Sequence, residues 1–191
     1  MSINIGIVGV GNCACSLYQG LTYYKDNTHS SGLMSSDIGG YTTRDINVVA
    51  AFDIDTRKVD KTFKEAMFSL PNCTPCYCNY EDLPDGPIVQ MGNVLDGVSE
   101  HVKNKENGFI VSKQDSCNIV DILLDKKVDI LINYLPVGSQ LATEFYANCC
   151  LETGVSFLNC IPVFIASNPI WEQKFIDAKI PIIGDDMKSQ F

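Results

Sequence analysis

Residues 3–24 constrain this chain more than any other stretch. Ile3-Asn4-Ile5-Gly6-Ile7-Val8 is a short apolar run, Gly9-Val10-Gly11-Asn12-Cys13-Ala14 follows at once, and Cys15 to Tyr24 reads as a helix. A strand, a glycine turn and a helix in that order open a dinucleotide-binding unit. Gly9 permits a tight turn off the strand, Gly11 lacks a Cβ and lets a pyrophosphate approach the backbone, and Ala14 keeps helix and strand close. The helix N-terminus then offers unpaired N–H groups and the positive end of its dipole to phosphate. The same pattern also fits an ordinary strand-to-helix turn, so the rest of the chain has to decide.

With 191 residues, 46% hydrophobic and 19% charged, the chain can bury one full core. No run of about eighteen apolar residues occurs, so no membrane-spanning helix is expected. A formal net charge of −9 argues against a nucleic-acid or anionic-membrane surface, because no excess of Lys and Arg is present to neutralise phosphates. The N-terminus enters a strand without the basic flank of a signal peptide, which predicts an intracellular, cytoplasmic protein. The nine cysteines are then expected as reduced thiols. Cys73, Cys76 and Cys78 could offer three thiolates to a metal, but no fourth ligand stands nearby, and a cysteine-bearing loop without metal is the preferred reading.

Lys25 to Asp45 is rich in Gly, Ser and Asn and reads as a long loop. Ile46 to Phe52 is nearly continuous apolar, as for a strand buried on both faces, and ends in Asp53. An acid at that strand end is where a ribose hydroxyl pair is held in NAD sites. Asp55 is the alternative acid, and Asp53 could instead cap a turn. No Arg stands at position 53, Arg57 being the nearest, which favours NAD over NADP. Lys58 to Leu70 reads as a helix ended by Pro71, and Ile88 to Met91 as a short strand. Gly92 to Gly108 is polar and carries no clear pattern. Asp115 to Lys127 reads as a helix capped by Asp115 or Ser116.

Val128 to Asn133 is a strand that runs into Tyr134-Leu135-Pro136-Val137-Gly138-Ser139. Gln140 to Thr153 is a helix stopped by Gly154. Strand Val155–Cys160, helix Pro169–Ala178 and strand Ile180–Ile183 complete the series. The alternation predicts an α/β fold over residues 1–191. It is a doubly wound, mostly parallel Rossmann-type sheet with helices on both faces, in one domain.

Five stretches together carry a specific likeness. They are Ile7 to Ala14, Ala50 to Asp55, Tyr134 to Ser139, Pro162 to Ser167, and Gly184-Asp185-Asp186-Met187-Lys188-Ser189-Gln190. In this order they resemble the myo-inositol-phosphate synthases of the bacterial and archaeal type, over nearly the whole chain. Even the insertion has a counterpart, at Gly32-Leu33-Met34. The resemblance implies an enzyme that binds NAD and converts glucose 6-phosphate to inositol 3-phosphate with no net redox change. The implied steps are oxidation at C5, enolisation, aldol closure onto C1 and reduction.

Carried over by resemblance, Gly9, Gly11, Asn12, Cys13 and Ala14 hold the pyrophosphate and Asp53 the adenosine ribose. Tyr134 and Leu135 lie along the cofactor, and Asp186 and Ser189 stand near its nicotinamide half. Lys188 and Asp186 are the implied catalytic pair. Family members run on into a further portion that carries most of the catalytic lysines and the contacts of a tetramer. The expectation is therefore a cofactor platform, from a truncated sequence, with little turnover of its own. The alternative is a stand-alone NAD-binding module without catalysis.

Overall fold

Strand β1 (Ile3–Val8) lies at the centre of a sheet because its side chains are wanted on both faces. Ile5 and Ile7 point into one apolar layer and Val8 into the other, following the alternation of a strand. The structure, a computed structural model, describes residues 2–26, 31–98 and 108–187. Helix α1 (Asn12–Asp26) follows β1 after the glycine turn, and β2 (Ile46–Asp53), α2 (Phe63–Met67) and β3 (Val89–Met91) complete the first half. The second half is α3 (Ile119–Asp125), β4 (Ile130–Asn133), α4 (Gln140–Thr153), β5 (Ser156–Asn159), α5 (Pro169–Ala178) and β6 (Ile182–Ile183).

The strands stand in the order β3-β2-β1-β4-β5-β6. Every pairing between them is parallel. This is the Rossmann arrangement, and it reverses direction between β1 and β4, the place where open α/β sheets bind ligands. One layer packs α1 and α2 on the sheet through Ala14, Cys15, Tyr18, Phe63 and Met67 against Ile7, Ala51 and Val89. The other packs α3, α4 and α5 through Leu123, Tyr146, Cys150 and Phe175 against Phe52, Leu131 and Phe157. Among the described residues no helix is long and apolar enough to cross a membrane.

Three helix starts differ from the sequence reading, and the short strands are trimmed by a residue or two at their ends. The first helix begins at Asn12, three residues before Cys15, so the turn is only Gly9-Val10-Gly11. The helix expected over Lys58–Leu70 is confined to Phe63–Met67. Its first residues bond across to β3 instead: Asp60 N–H donates to Val89 O at 2.9 Å, and Val89 N–H to Lys61 O at 2.9 Å. Thr62 and Glu65 then form a capping box that starts the helix late, a Thr-x-x-Glu signal present in the sequence. The helix expected over Asp115–Lys127 is Ile119–Asp125, and its cap is Asn118, whose side chain accepts from Asp121 N–H. Cys117 N–H is drawn to Met91 O at 2.9 Å, which keeps the preceding residues extended.

Candidate functional site

The glycine turn sits at the carboxyl end of β1, beside the reversal of strand order. Its backbone is fixed on all sides. Gly9 N–H donates to Phe52 O at 2.9 Å and Tyr134 N–H to Val8 O at 2.8 Å. Gly9 adopts φ +86°, and a Cβ there would lie 2.8 Å from the Tyr134 carbonyl oxygen. Only glycine meets both demands. At Gly11 an added Cβ would meet nothing within 4 Å, so this residue faces open space. Gly11 O accepts the Cys15 amide at 3.0 Å, which closes the first turn of α1 and leaves the earlier amides free of helical partners.

Asp53, buried at the end of β2, reaches back into this turn. Its Oδ2 accepts Val10 N–H at 2.8 Å, and its Oδ1 accepts the amides of Ile54 and Asp55 at 2.8 and 2.9 Å. Lys58, also buried, places its Nζ 3.7 Å from Oδ2 and donates to Val10 O at 2.8 Å. Asn72 adds a donor to the same carbonyl at 3.0 Å. Asp53 thus takes up the capping role considered for it. It braces the turn, and it lines the adjoining cleft with acceptor capacity left over, since a carboxylate offers about four lone-pair sites. Asp55 is withdrawn from the site. It is fully buried and forks onto Arg57, whose guanidinium also bonds Gly108 O at 2.7 Å; the carboxylate holds the Arg57 pKa above its ordinary value.

The Asn12 side chain turns away from the glycine turn. Its Oδ1 accepts the amides of Cys73 and Thr74 at 2.9 and 3.3 Å and so pins the cysteine-bearing loop against α1. Gln19 holds the other end of that loop through Pro75 O and the Tyr77 amide. Cys13 is half-buried in the first turn of α1, and Ala14 is fully buried between helix and sheet. Among the described residues no group of three His, Cys, Asp or Glu side chains is arranged to hold a metal ion.

Tyr134 and Leu135 follow β4 on the opposite side of the turn. Burial raises the Tyr134 phenol well above its ordinary pKa, helped by the neighbouring thiols Cys160 and Cys13. Leu135, Pro136, Ser139, Ala142 and Tyr146 form one wall of an apolar cleft, and Val8, Gly9, Phe52 and Asp53 form the other. A strap over residues 92–98 crosses between them. Gly92 N–H donates to Asp53 O at 2.9 Å. Asp96 accepts the amides of Leu141 and Ala142 at 2.7 and 2.9 Å and so caps α4 from a distance. Sequence reasoning missed this strap, Lys58 and Asn72. Asp96-Gly97 was the available turn signal within a segment that otherwise lacks pattern.

A second polar chain runs along the carboxyl ends of β4 and β5. Asn133 Nδ2 donates to Thr143 Oγ1 at 3.1 Å and to Asn159 Oδ1 at 2.9 Å, and Asn159 Nδ2 reaches Asp185 Oδ1 at 2.7 Å. Asp185 also gathers the amides of Ile165, Ala166 and Ser167 and the Ser167 hydroxyl. Asp185 therefore anchors a loop. Asp186, half-buried with φ +60°, donates its amide to Ile161 O at 3.1 Å at the end of β5. Lys188 and Ser189 lie outside the described residues.

No family model matches this chain. Its sequence is 46% identical to inositol-3-phosphate synthase of Mycolicibacterium smegmatis, over 98% of this chain and 51% of that protein. The chain is a homologue of the inositol-3-phosphate synthases. The same name is carried by a Corynebacterium glutamicum relative, 44% identical over 99% of this chain and 52% of that protein. The chain thus spans about half the length of the curated relatives it matches. Among solved structures, Ari2 is 32% identical with a TM-score of 0.80, over 97% of this chain and 53% of that one. A myo-inositol-1-phosphate synthase-related protein from Thermotoga maritima, at 18% identity and a TM-score of 0.74 over 97% of this chain and 55% of that one, shares the fold.

Proposed function

We propose that this chain is the NAD-binding portion of an inositol-3-phosphate synthase, acting on glucose 6-phosphate. The observation that carries the reading is the braced glycine turn, with open space at Gly11, in a chain 46% identical to a synthase of that name. The residues present fit the cofactor. The unpaired amides of the first turn of α1 and the missing Cβ of Gly11 suit a pyrophosphate. Asp53 offers its remaining acceptor site to a ribose hydroxyl, and the apolar cleft beside it suits a base. Arg57 is taken up by Asp55 and Gly108 O, so it offers no welcome to a 2′-phosphate; NAD is favoured over NADP.

NAD, when bound, supplies temporary removal of a hydride from the sugar. This chain's own residues position and shield. Gly9, Gly11, Asn12, Cys13 and Ala14 seat the pyrophosphate through their backbone, and Tyr134 and Leu135 flank the cofactor. Asp186 and Ser189 stand toward its nicotinamide half, and Lys188 with Asp186 handles protons near the substrate.

Calorimetric titration with NAD and NADP, followed by an inositol-phosphate assay on glucose 6-phosphate, tests this reading. NAD binding in preference to NADP is expected, with little turnover by the 191-residue chain. A folded sample that ignores millimolar NAD would sink it. NAD binding with no turnover, even when the remaining half of a relative is supplied in trans, would favour a stand-alone NAD-binding module.

A further inference from the structure

The motif Cys73-Thr74-Pro75-Cys76 lies outside the cleft, in the loop that leads from α2 toward β3. Cys73 and Cys76 are exposed, whereas Cys15, Cys149, Cys150 and Cys160 are buried. A buried cysteine serves as a small apolar group. An exposed one is open to sulfur chemistry, and two in C-x-x-C spacing are the arrangement of a redox dithiol. The loop is fastened mainly through other groups. Asn12 Oδ1 holds the amides of Cys73 and Thr74, and Gln19 holds Pro75 O and the Tyr77 amide. Cys73 Sγ receives a long 3.5 Å contact from Asn12 Nδ2, and Cys76 Sγ donates to Cys78 O at 2.9 Å. The two thiols thus face different partners.

Fastened in this way, residues 72–77 run without a turn or bend. Extended chain separates the Cα atoms of residues three apart by roughly 10 Å, whereas a disulfide wants them within about 7 Å. Joining Cys73 to Cys76 therefore folds the segment back on itself and takes the Cys73 and Thr74 amides off Asn12. The disturbance falls next to the glycine turn. Asn72 donates to Val10 O at 3.0 Å and accepts from Lys58 Nζ at 3.2 Å, and Asn12 opens α1. We propose that Cys73 and Cys76 form a redox site, oxidised to an internal disulfide by low-molecular-weight disulfides, and that this oxidation loosens the glycine turn through Asn72 and Asn12. One thiolate attacks the reagent R–S–S–R, forming a mixed disulfide and expelling R–S⁻. The second thiolate attacks the protein sulfur of that bond, closes Cys73–Cys76 and expels the other R–S⁻. The two thiol protons pass to the released thiolates, and two electrons leave the protein for the reagent. By linkage, whatever binds the braced turn opposes the oxidation. The effect on NAD rests on the cofactor reading given above; the disulfide and the loosening of the turn do not.

The test equilibrates the 191-residue chain with oxidised glutathione, maps its disulfide-linked peptides and follows backbone amide exchange by NMR. A Cys73–Cys76 bond is expected, with no glutathione retained on the loop. The amides of Cys73, Thr74 and Val10 should exchange faster than in the reduced chain. NAD should bind at least about fivefold more weakly to the oxidised chain, dithiothreitol should restore both readouts, and saturating NAD should slow the oxidation. Cys76→Ser should stop at a mixed disulfide on Cys73, and the double variant Cys73→Ser/Cys76→Ser should keep its NAD affinity under oxidant. Lasting glutathione adducts on the unaltered chain, or an internal bond to Cys78 instead, would overturn the redox site. A Cys73–Cys76 bond with unchanged exchange at Val10 would overturn its coupling to the turn. A reduced chain that ignores NAD would overturn the cofactor reading, while the peptide map and the exchange rates still decide the proposal.

Discussion

Asp53 Oδ2 accepts the Val10 amide at 2.8 Å, joining the end of β2 to the glycine turn across 43 residues. Lys58 grips the same peptide unit from its other side, through the Val10 carbonyl at 2.8 Å. The turn is therefore held in place before any ligand arrives, which spares a bound phosphate the cost of ordering it.

The two glycines of the turn should separate stability from binding. Gly9→Ala forces a Cβ to 2.8 Å from the Tyr134 carbonyl at φ +86° and should cost roughly 2 to 4 kcal/mol. Gly11→Ala meets nothing within 4 Å and should leave folding stability within about 0.5 kcal/mol. It should nevertheless weaken NAD at least tenfold, because its methyl stands where the pyrophosphate approaches. Urea unfolding and NAD titration on the two variants check both halves of the contrast.

Lys58→Met removes the buried cation beside Asp53 and one of the donors to Val10 O. Breaking such a pair from one side should destabilise the fold by about 3 kcal/mol. The loss should show in chemical denaturation without any cofactor present, since Lys58 braces the turn from beneath.

The thiols should sort by burial. Cys73 and Cys76 are exposed, whereas Cys15, Cys149 and Cys150 are buried, and burial raises the pKa of each of these three, Cys149 to about 11. A higher pKa means less thiolate at neutral pH and slower attack on a disulfide reagent. Titration with a chromogenic disulfide should give a fast phase that Cys73→Ser and Cys76→Ser together remove. The buried thiols should react only after denaturant is added.

Burial raises the Tyr18 phenol from 10.0 to about 12, with Asp85 adding to the effect. The folded chain holds this proton more tightly than the unfolded one. The associated stability is therefore complete below about pH 10 and is lost as pH rises from there toward 12. Tyr18→Phe should flatten that alkaline decline in a denaturation series run from pH 9 to pH 12. An unchanged decline in the variant would show that other groups dominate it.

Much of the architecture was legible along the chain. Parallel strands covered on both faces read as near-continuous apolar runs, and Ile3–Val8 and Ile46–Asp53 are such runs. Helices Gln140–Thr153 and Pro169–Ala178 matched their expected bounds, because Gly154 at φ +79° and the Asn168-Pro169 start are local signals. Where a helix was overestimated, at 58–70 and 115–127, backbone groups at its start had found partners on β3. Periodicity reports how side chains are spaced and carries no record of such distant backbone pairings.

By itself, then, the sequence determined the alternation of elements, the glycine turn, the acid at the end of β2 and the family likeness, since all are written in local spacing and motif. Only the tertiary structure decided what those residues do to each other. It turned Asp53 onto Val10 and set Lys58 beneath the pair. It sent the Asn12 side chain to the cysteine loop and made Asp185 a loop anchor. It also drew the patternless segment 92–98 across the cleft, with Asp96 on the first turn of α4. The physical reason is that a buried polar group must be paired or pay for its burial, and its partners stand beside it only once the sheet has assembled.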